Sequence, residues 1–585
     1  MRVHSSKGSR SRVERAVRVL CHVVAEVPFL VVALVQVAQG WRPTLDDAVI
    51  SIRSWAVLTS RGPMLGEFTQ ASTCARHTAF NPGPVLFWML ALPVRVDPGH
   101  GVLWGAAIFC AVAMALCVEA AWAVRGATGA LAVGCFAVVL AATQPDVLVN
   151  PAWDPHFALV WFAATCMLAW AVGTGQLRWW PVLVLTASIA AQTHLVYALP
   201  AALLAILAPL PGLLGSAKDR RGGRARRSAE DRRSGEAHRR AEARWSAAAG
   251  EGRTWAVMGL VVGAACWAVP IVQQLTGHPG NVTVLLRCVG NRQVMGDSFG
   301  FQTLASAVVP PPLWFHRPSG GTDALLRGLT AHSAWVGIAV LAVLGVVMVV
   351  AWVRRHKDLA VLAGVALLAA GATVWEIGHQ PSNVIVSLFD ADIVLWPVGM
   401  LVWGTAALAV EEGVTRWGVG ARLRPRSERA DVPGGPGAVP RLLSPRQGRA
   451  LLLAVTGMVL VGGSVNAATL TGGAMNRAAL EDGGRGAFRG VSEAAAAAER
   501  LVPRGPMVLA VSGYDADVSL DLLYGTLWVL ISQGHDTTVG GVFADAVTPP
   551  VHTVPGEPFV DVTVRENGSV ARAVLTPGSV PSAKP

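Results

Sequence analysis

Gly101-Val-Leu-Trp-Gly-Ala-Ala-Ile-Phe-Cys-Ala-Val-Ala-Met-Ala-Leu-Cys-Val-Glu-Ala-Ala-Trp-Ala-Val124 carries a single charge, Glu119. As a helix it rises about 36 Å at ~1.5 Å per residue, enough to cross the ~30 Å hydrocarbon core of a bilayer. Comparable runs lie near 19–39, 128–144, 157–173, 179–196, 197–214, 254–275, 333–353, 358–378, 389–410 and 450–470. The reading is therefore about eleven spans. The two runs within 179–214 are short, and they also read as one long tilted helix plus a re-entrant piece. The whole chain agrees: 53% of its residues are hydrophobic and 15% charged, with mean hydropathy +0.47. A soluble protein carries about a quarter charged residues. The expected fold class is a mainly α polytopic membrane protein with a small C-terminal α/β domain.

The net charge of +11 raises nucleic acid as a partner. The arginines, however, cluster in loops between apolar runs, which marks topology and argues against nucleic-acid binding. Ten arginines lie between Arg220 and Arg244, eight between Arg416 and Arg449, and residues 354–357 read Arg-Arg-His-Lys. With the basic N-terminus (1–18) cytoplasmic, the loops 125–127, 174–178, 215–253, 354–357 and 411–449 all fall inside. The inner loops read as topology anchors and solvated, disordered linkers, low in apolar residues. No clean cleavage site precedes Gln39, so the first apolar run is read as a retained span. An odd span number then places the tail outside, with 40–100, 145–156, 276–332 and 379–388. The organisation expected is a transmembrane domain over 19–410, a basic linker over 411–449, a last span over 450–470 and an extracytoplasmic domain over 471–585.

Six of the eight cysteines fall within expected spans. Cys74 and Cys288 fall in outer loops, on an oxidising side, and are expected to form one disulfide, with two free thiols as the alternative. The tail reads as a helix over 475–501, a strand over 506–512, a helix over 518–533, and strands over 537–543, 558–566 and 570–575. Asn567-Gly568 reads as a hairpin turn. Asp515, Asp517 and Asp521 lack metal-loop spacing, so this domain is read as a cap or support.

The chemistry-bearing residues gather at outer membrane boundaries. Trp41-Arg-Pro-Thr-Leu-Asp-Asp-Ala-Val-Ile50 sets Asp46 and Asp47 just after the first span, with Arg53 following. A carboxylate pair at a membrane surface is costly unless solvated, paired or bound to a cation. Phe80-Asn81-Pro82-Gly83-Pro84 leads into an apolar run, 85–93, suited to lying in the interface. Asn150-Pro-Ala-Trp153-Asp154-Pro-His156 caps the next span. Gln192-Thr-His194 lies near a span's outer end, and Gln273-Gln274-Leu-Thr-Gly-His-Pro-Gly-Asn281 is followed by Arg287. Acids, amides, His and Arg on one membrane face suit a cavity for a polar head group on a lipid tail. A carboxylate there can act as general base toward a sugar hydroxyl, or Asp46 can hold a divalent cation such as Mg or Mn. Arginine and amides can grip a phosphate leaving group. Each motif also has a plainer reading, as a helix cap, a corner or a packed polar residue.

In their order, these motifs resemble the actinobacterial multi-spanning proteins related to GT-C glycosyltransferases, over roughly residues 17–410. The resemblance implies a polyprenyl-phosphate sugar donor, inversion at the sugar carbon and transfer to a cell-envelope glycan or lipid acceptor on the extracytoplasmic side. It also implies a catalytic acid in the first outer loop, which Asp46 matches best, with Asp47 in reserve. Arg53, Asn81, Trp153, Asp154, Gln192, His194, Gln274, Asn281 and Arg287 are the substrate-binding candidates. Related sequences often carry His-Pro-Gly-Pro in place of Asn81-Pro-Gly-Pro84, and Trp-Asn-Pro in place of Trp153-Asp-Pro155. Two other readings stand beside the enzyme. One is a transporter or flippase of a lipid-linked sugar, which would need ionisable residues deep in several spans. In the sequence, Glu119 and Glu376 lie near span ends. The other is a non-catalytic envelope scaffold. No P-loop, dinucleotide fingerprint or zinc-ligand spacing is present.

Overall fold

A computed structural model of the chain describes residues 5–69, 71–72, 77–211, 235–289, 294–315, 321–382, 386–416, 484–503, 506–512, 516–539, 558–565 and 569–576. Among these, seven helices are long and apolar enough to cross a membrane: Val13–Ala38, Gly101–Arg125, Asp154–Gly173, Gly252–Thr276, Ala334–Val353, Lys357–Gly378 and Ala391–Glu412. The chain is thus a mainly helical, multi-pass membrane protein. The expected span at 450–470 lies outside the described residues, as do residues 215–234 of the arginine-rich loop; its remainder, expected as a solvated linker, is instead helical, the start of the helix Gly235–Thr276 that continues into the span.

Burial sorts these helices by environment. Asp154–Gly173 is the central helix, 94% of its apolar window being buried. Gly252–Thr276 and Ala334–Val353 are buried over only 11% and 17% of theirs. Helices that are apolar all round yet uncovered by protein are what a lipid boundary requires.

Three runs expected to span are shorter than a full crossing. Ala127–Thr143 is a 17-residue helix. Within the stretch 179–214, residues 180–207 form a helical hairpin. Trp180–Thr193 rises for 14 residues, or about 21 Å. The chain breaks at His194, makes a 3-10 turn over Leu195–Tyr197, and returns through Ala198–Leu207. The indole of Trp180 donates to the carbonyl of Ala205 at 3.0 Å, fixing the antiparallel return. The hairpin places the polar residues Gln192-Thr193-His194 together at its tip.

The two ends of the bundle differ in their polar groups. At one end Arg125 meets three carboxylates: Asp358 at 2.7 Å, Glu411 at 3.1 Å and Glu412 at 3.0 Å. His356 adds a contact to Glu412 at 3.2 Å. This cluster ties together the ends of three helices through charge-assisted hydrogen bonds. The opposite end carries Asp46 and the motifs grouped with it.

A second polar network, partly exposed, joins the first span to the helix Gly101–Arg125. Glu119, six residues from the end of its helix, pairs with Arg18 on the first span. His22 bridges Glu119 at 2.8 Å and Glu26 at 2.5 Å. Glu26 sits near the middle of Val13–Ala38. The span interiors therefore hold more ionisable groups than Glu119 alone.

The C-terminal part pairs two helices, α1 (Gly484–Leu501) and α2 (Ala516–Ser532), with four strands. These are β1 (Met507–Ser512), β2 (Thr537–Val539), β3 (Phe559–Val564) and β4 (Val570–Thr576), in the order β2-β1-β3-β4. The β1 strand runs parallel to β2 and β3, and β4 closes the sheet antiparallel to β3. Along β3 burial alternates, with Val560, Val562 and Val564 inside, the period-two pattern of a sheet with one covered face. The turn expected at Asn567-Gly568 lies outside the described residues.

Candidate functional site

The site is built on the short helix Leu45–Ala56, which follows the first span. Asp46 and Asp47 occupy its first turn, where an acid is favoured by the helix dipole. Leu45, directly before them, is held at φ 42°, a left-handed conformation that a branched side chain rarely adopts. Leu45 is itself exposed, so packing of its own side chain does not account for the strain. Backbone strain of this kind costs about 1–3 kcal/mol and concentrates where a site needs a fixed geometry.

Asp46 and Arg53 are seven residues apart. At 100° per residue that brings them back to one helix face, about 10.5 Å apart along the axis. Asp47 is turned about a quarter circle away from that face. The Asp46 carboxyl is raised from the usual carboxylate range by burial, and a hydrogen bond from the Trp153 side chain opposes the rise. Asp47 is buried, and its backbone carbonyl accepts the Ser51 hydroxyl at 2.7 Å.

Arg53 is buried between two aromatic rings, 5.5 Å from the Phe80 centroid and 4.7 Å from that of Phe87. One guanidinium nitrogen reaches the carbonyl of Leu65 at 3.4 Å. Among the described residues the other two, Nε and Nη1, have no hydrogen-bond partner. Burial lowers the guanidinium to about 10, and nearby Glu67 opposes the fall. Arg53 is thus a cation at neutral pH with two N–H donors turned to no acceptor, an arrangement that invites an anion.

Glu67 was not among the sequence candidates. It lies in the loop Pro63-Met-Leu-Gly-Glu67-Phe68 and is 8% exposed. A two-stranded contact carries it to the site: Phe68 bridges Phe80, and the amide of Asn81 donates to the Glu67 carbonyl at 2.7 Å. Burial pushes the Glu67 carboxyl well above its ordinary range, and the charges of Asp154 and Asp46 push it further. Arg53 opposes the shift, and a hydrogen bond with Asp154 adds to it. Glu67 thus lies in the midst of Asp46, Arg53 and Asp154, an environment that favours its protonated form.

Asp154 begins the central helix and is buried. It accepts a hydrogen bond from the Asn81 amide at 2.9 Å, and His194 Nε2 stands 3.9 Å away. The Asn81 carbonyl oxygen accepts the amide of Leu195 at 3.0 Å. Asn81 thus links the central helix to the hairpin tip, bringing Asp154 and His194 together. Trp153, the donor to Asp46, packs edge-on against His156, with ring centroids 4.6 Å apart.

Other candidates brace the site without lining its acids. The Gln192 side chain donates to the Cys266 carbonyl at 2.8 Å. Its oxygen lies where a Cβ on Gly83 would stand, only 2.1 Å away, so the Asn81–Pro84 corner needs glycine there. Asn281 clamps Phe80 from both sides, accepting its N–H at 3.0 Å and donating to its carbonyl at 2.9 Å. Gln274 satisfies the start of the helix Asn281–Val289, accepting the Val282 amide at 2.8 Å and donating to Thr283 at 2.8 Å. Arg287 is exposed on that helix, and no contact joins it to the acids among the described residues. Cys74 and the Cys288 side chain lie outside the described residues, so the expected disulfide does too. Among the described residues no group of three or more His, Cys, Asp or Glu is arranged to hold a metal.

No family model matches the chain, and no curated protein matches it. Among solved structures it is similar to ArnT from Cupriavidus metallidurans bound to undecaprenyl phosphate. That match has TM-score 0.45 and 15% identity, over 99% of this chain and 100% of ArnT. It is similar also to the same protein in the apo state, with TM-score 0.45 and 16% identity, over 97% of this chain and 98% of that one.

Proposed function

We propose that the chain is an integral-membrane glycosyltransferase that moves a sugar from a polyprenyl-phosphate donor to a cell-envelope glycan or lipid acceptor. One observation carries this reading. Asp46, raised by burial, and Arg53, buried with two unpartnered N–H donors, share a helix face about 10.5 Å apart. That separation accommodates a sugar ring with a phosphate at its anomeric carbon.

In the proposed reaction, Arg53 binds the donor phosphate through Nε and Nη1 and stabilises the charge that builds on it as the glycosidic C–O bond breaks. Asp46 accepts the proton of the acceptor hydroxyl as its oxygen bonds to the anomeric carbon from the opposite side, inverting that centre. The raised Glu67 carboxyl favours its protonated form, which weakens its competition with the phosphate for Arg53. Asn81, Asp154 and His194 offer polar contacts for sugar hydroxyls. The Asp46 end of the bundle is assigned to the extracytoplasmic face, which the arginine-rich loops favour.

The experiment is transfer of a labelled sugar from polyprenyl phosphate in membranes carrying wild type or Asp46→Asn at equal expression. A loss of about a hundred- to ten-thousandfold is expected when a general base is removed. Full retained transfer would remove Asp46 from the reaction.

The transporter reading gains one observation: the Arg18–Glu119–His22–Glu26 network inside two spans. Among the described residues its hydrogen bonds stop at Glu26, short of the Asp46 end. Flipping of a labelled lipid in proteoliposomes without sugar transfer would favour this second reading.

A further inference from the structure

We propose that the C-terminal domain is part of the acid site, with Tyr524 the positioning residue it brings to Asp46. The inference rests on Asp46 being the centre of the site, as in the function proposed above.

The domain docks on the helix that carries Asp46. Trp528 of α2 packs edge-on against Trp55 of the Leu45–Ala56 helix, with centroids 5.8 Å apart and planes at 74°. Its indole donates to the carbonyl of Pro98 at 2.9 Å. Trp528 is fully buried although it comes from the far end of the sequence. Gly525 allows the close approach. A Cβ there would stand 3.1 Å from the Pro43 carbonyl, three residues before Asp46, and 2.6 Å from Val491 Cγ2 within the domain.

Tyr524 lies four residues before Trp528, hence one turn along the same face of α2. Its side chain is buried, and burial together with the nearby Asp46 carboxylate pushes its phenol up to about 12. It therefore remains a neutral phenol at any physiological pH. The Trp153 side chain from the membrane bundle hydrogen-bonds Asp46, and α2 of the C-terminal domain, which carries Tyr524, packs on the Asp46 helix through Trp528 and Gly525. Burial is what raises Asp46, so a domain seated beside it helps keep water away from the carboxyl.

The test uses the full chain in lipid nanodiscs, with two independent readouts. The first is the pH profile of Asp46 modification by a hydrophobic carbodiimide, which attacks protonated carboxyls, read by peptide mass analysis. The second is sugar transfer from polyprenyl phosphate. Trp528→Ala should shift the labelling profile to lower pH, as water reaches Asp46, and cut transfer about a hundredfold through mispositioning. Trp528→Phe, which keeps an aromatic ring against Trp55, should restore most of both. Tyr524→Phe preserves the packing and should move the profile to higher pH by removing a polar neighbour. An unchanged profile in Tyr524→Phe would overturn its positioning role. Unchanged profile and transfer in Trp528→Ala would overturn the domain's part in the site. A shifted profile in Trp528→Ala combined with full transfer by Asp46→Asn would sink the proposed reaction while leaving this inference standing.

Discussion

Glu67→Gln is the perturbation that most sharply tests the electrostatics of the site. Glutamine keeps the shape of a protonated glutamate but cannot ionise. In the folded chain Glu67 is raised well above 4.5, first by burial and then by Asp154 and Asp46. A folded-state value above the unfolded one means that the folded chain holds its proton longer. The protonated group's contribution is therefore fully present below pH 4.5 and is lost as pH rises toward the raised value. Over that window wild type loses about 1.4 kcal/mol per pH unit relative to the glutamine variant. Glu67 is 8% exposed, so solvent screening does little to reduce this slope. The assay is the thermal unfolding midpoint of purified wild type and Glu67→Gln from pH 4 to pH 8. The two should run parallel below about pH 4.5 and change relative to each other above it, the variant gaining on wild type as pH rises. A constant difference across the range would mean that Glu67 ionises normally, and would refute a raised Glu67 carboxyl beside Asp46 and Asp154.

Further outcomes follow from individual contacts. Arg53→Lys should weaken polyprenyl-phosphate binding by about tenfold or more, because an ammonium cannot replace a planar guanidinium fork, as measured by equilibrium binding in nanodiscs. Gly83→Ala places a methyl on the Gln192 side-chain oxygen and should lower the unfolding midpoint by an amount corresponding to about 1–3 kcal/mol. Gln274→Ala and Arg287→Ala should leave sugar transfer within about twofold of wild type, since surface changes away from a site are usually small. A large loss from Arg287→Ala would place that arginine in the reaction.

How much of this could be read in advance depended on range along the chain. Apolar runs announced the long spans, because crossing a bilayer requires length and composition together. The short hairpin at 180–207 was harder to place, since its helices are only 14 and 10 residues long and the break at His194 serves the site. Asp46 and Arg53 were visible as residues, and their common face follows from helix periodicity alone. Glu67 was not legible: it sits in an irregular loop and reaches Asp154 through pairing with Phe80 and Asn81, a contact no local pattern encodes. Its one signal was an isolated acid amid apolar residues and glycine. His22 and Glu26, four apart within an apolar run, are legible as one helix face carrying ionisable groups. Gln274, Asn281 and Arg287 were grouped by closeness in sequence. The fold makes Asn281 a clamp on Phe80 and Gln274 a helix-end brace, and leaves Arg287 exposed on its helix.

The account rests on Asp46 and Arg53 flanking one substrate. Its most direct measurement is a structure of the purified protein with polyprenyl phosphate bound. The account predicts phosphate density against Arg53 Nε and Nη1, on the helix face shared with Asp46. Phosphate bound elsewhere, with those two nitrogens untouched, would contradict it.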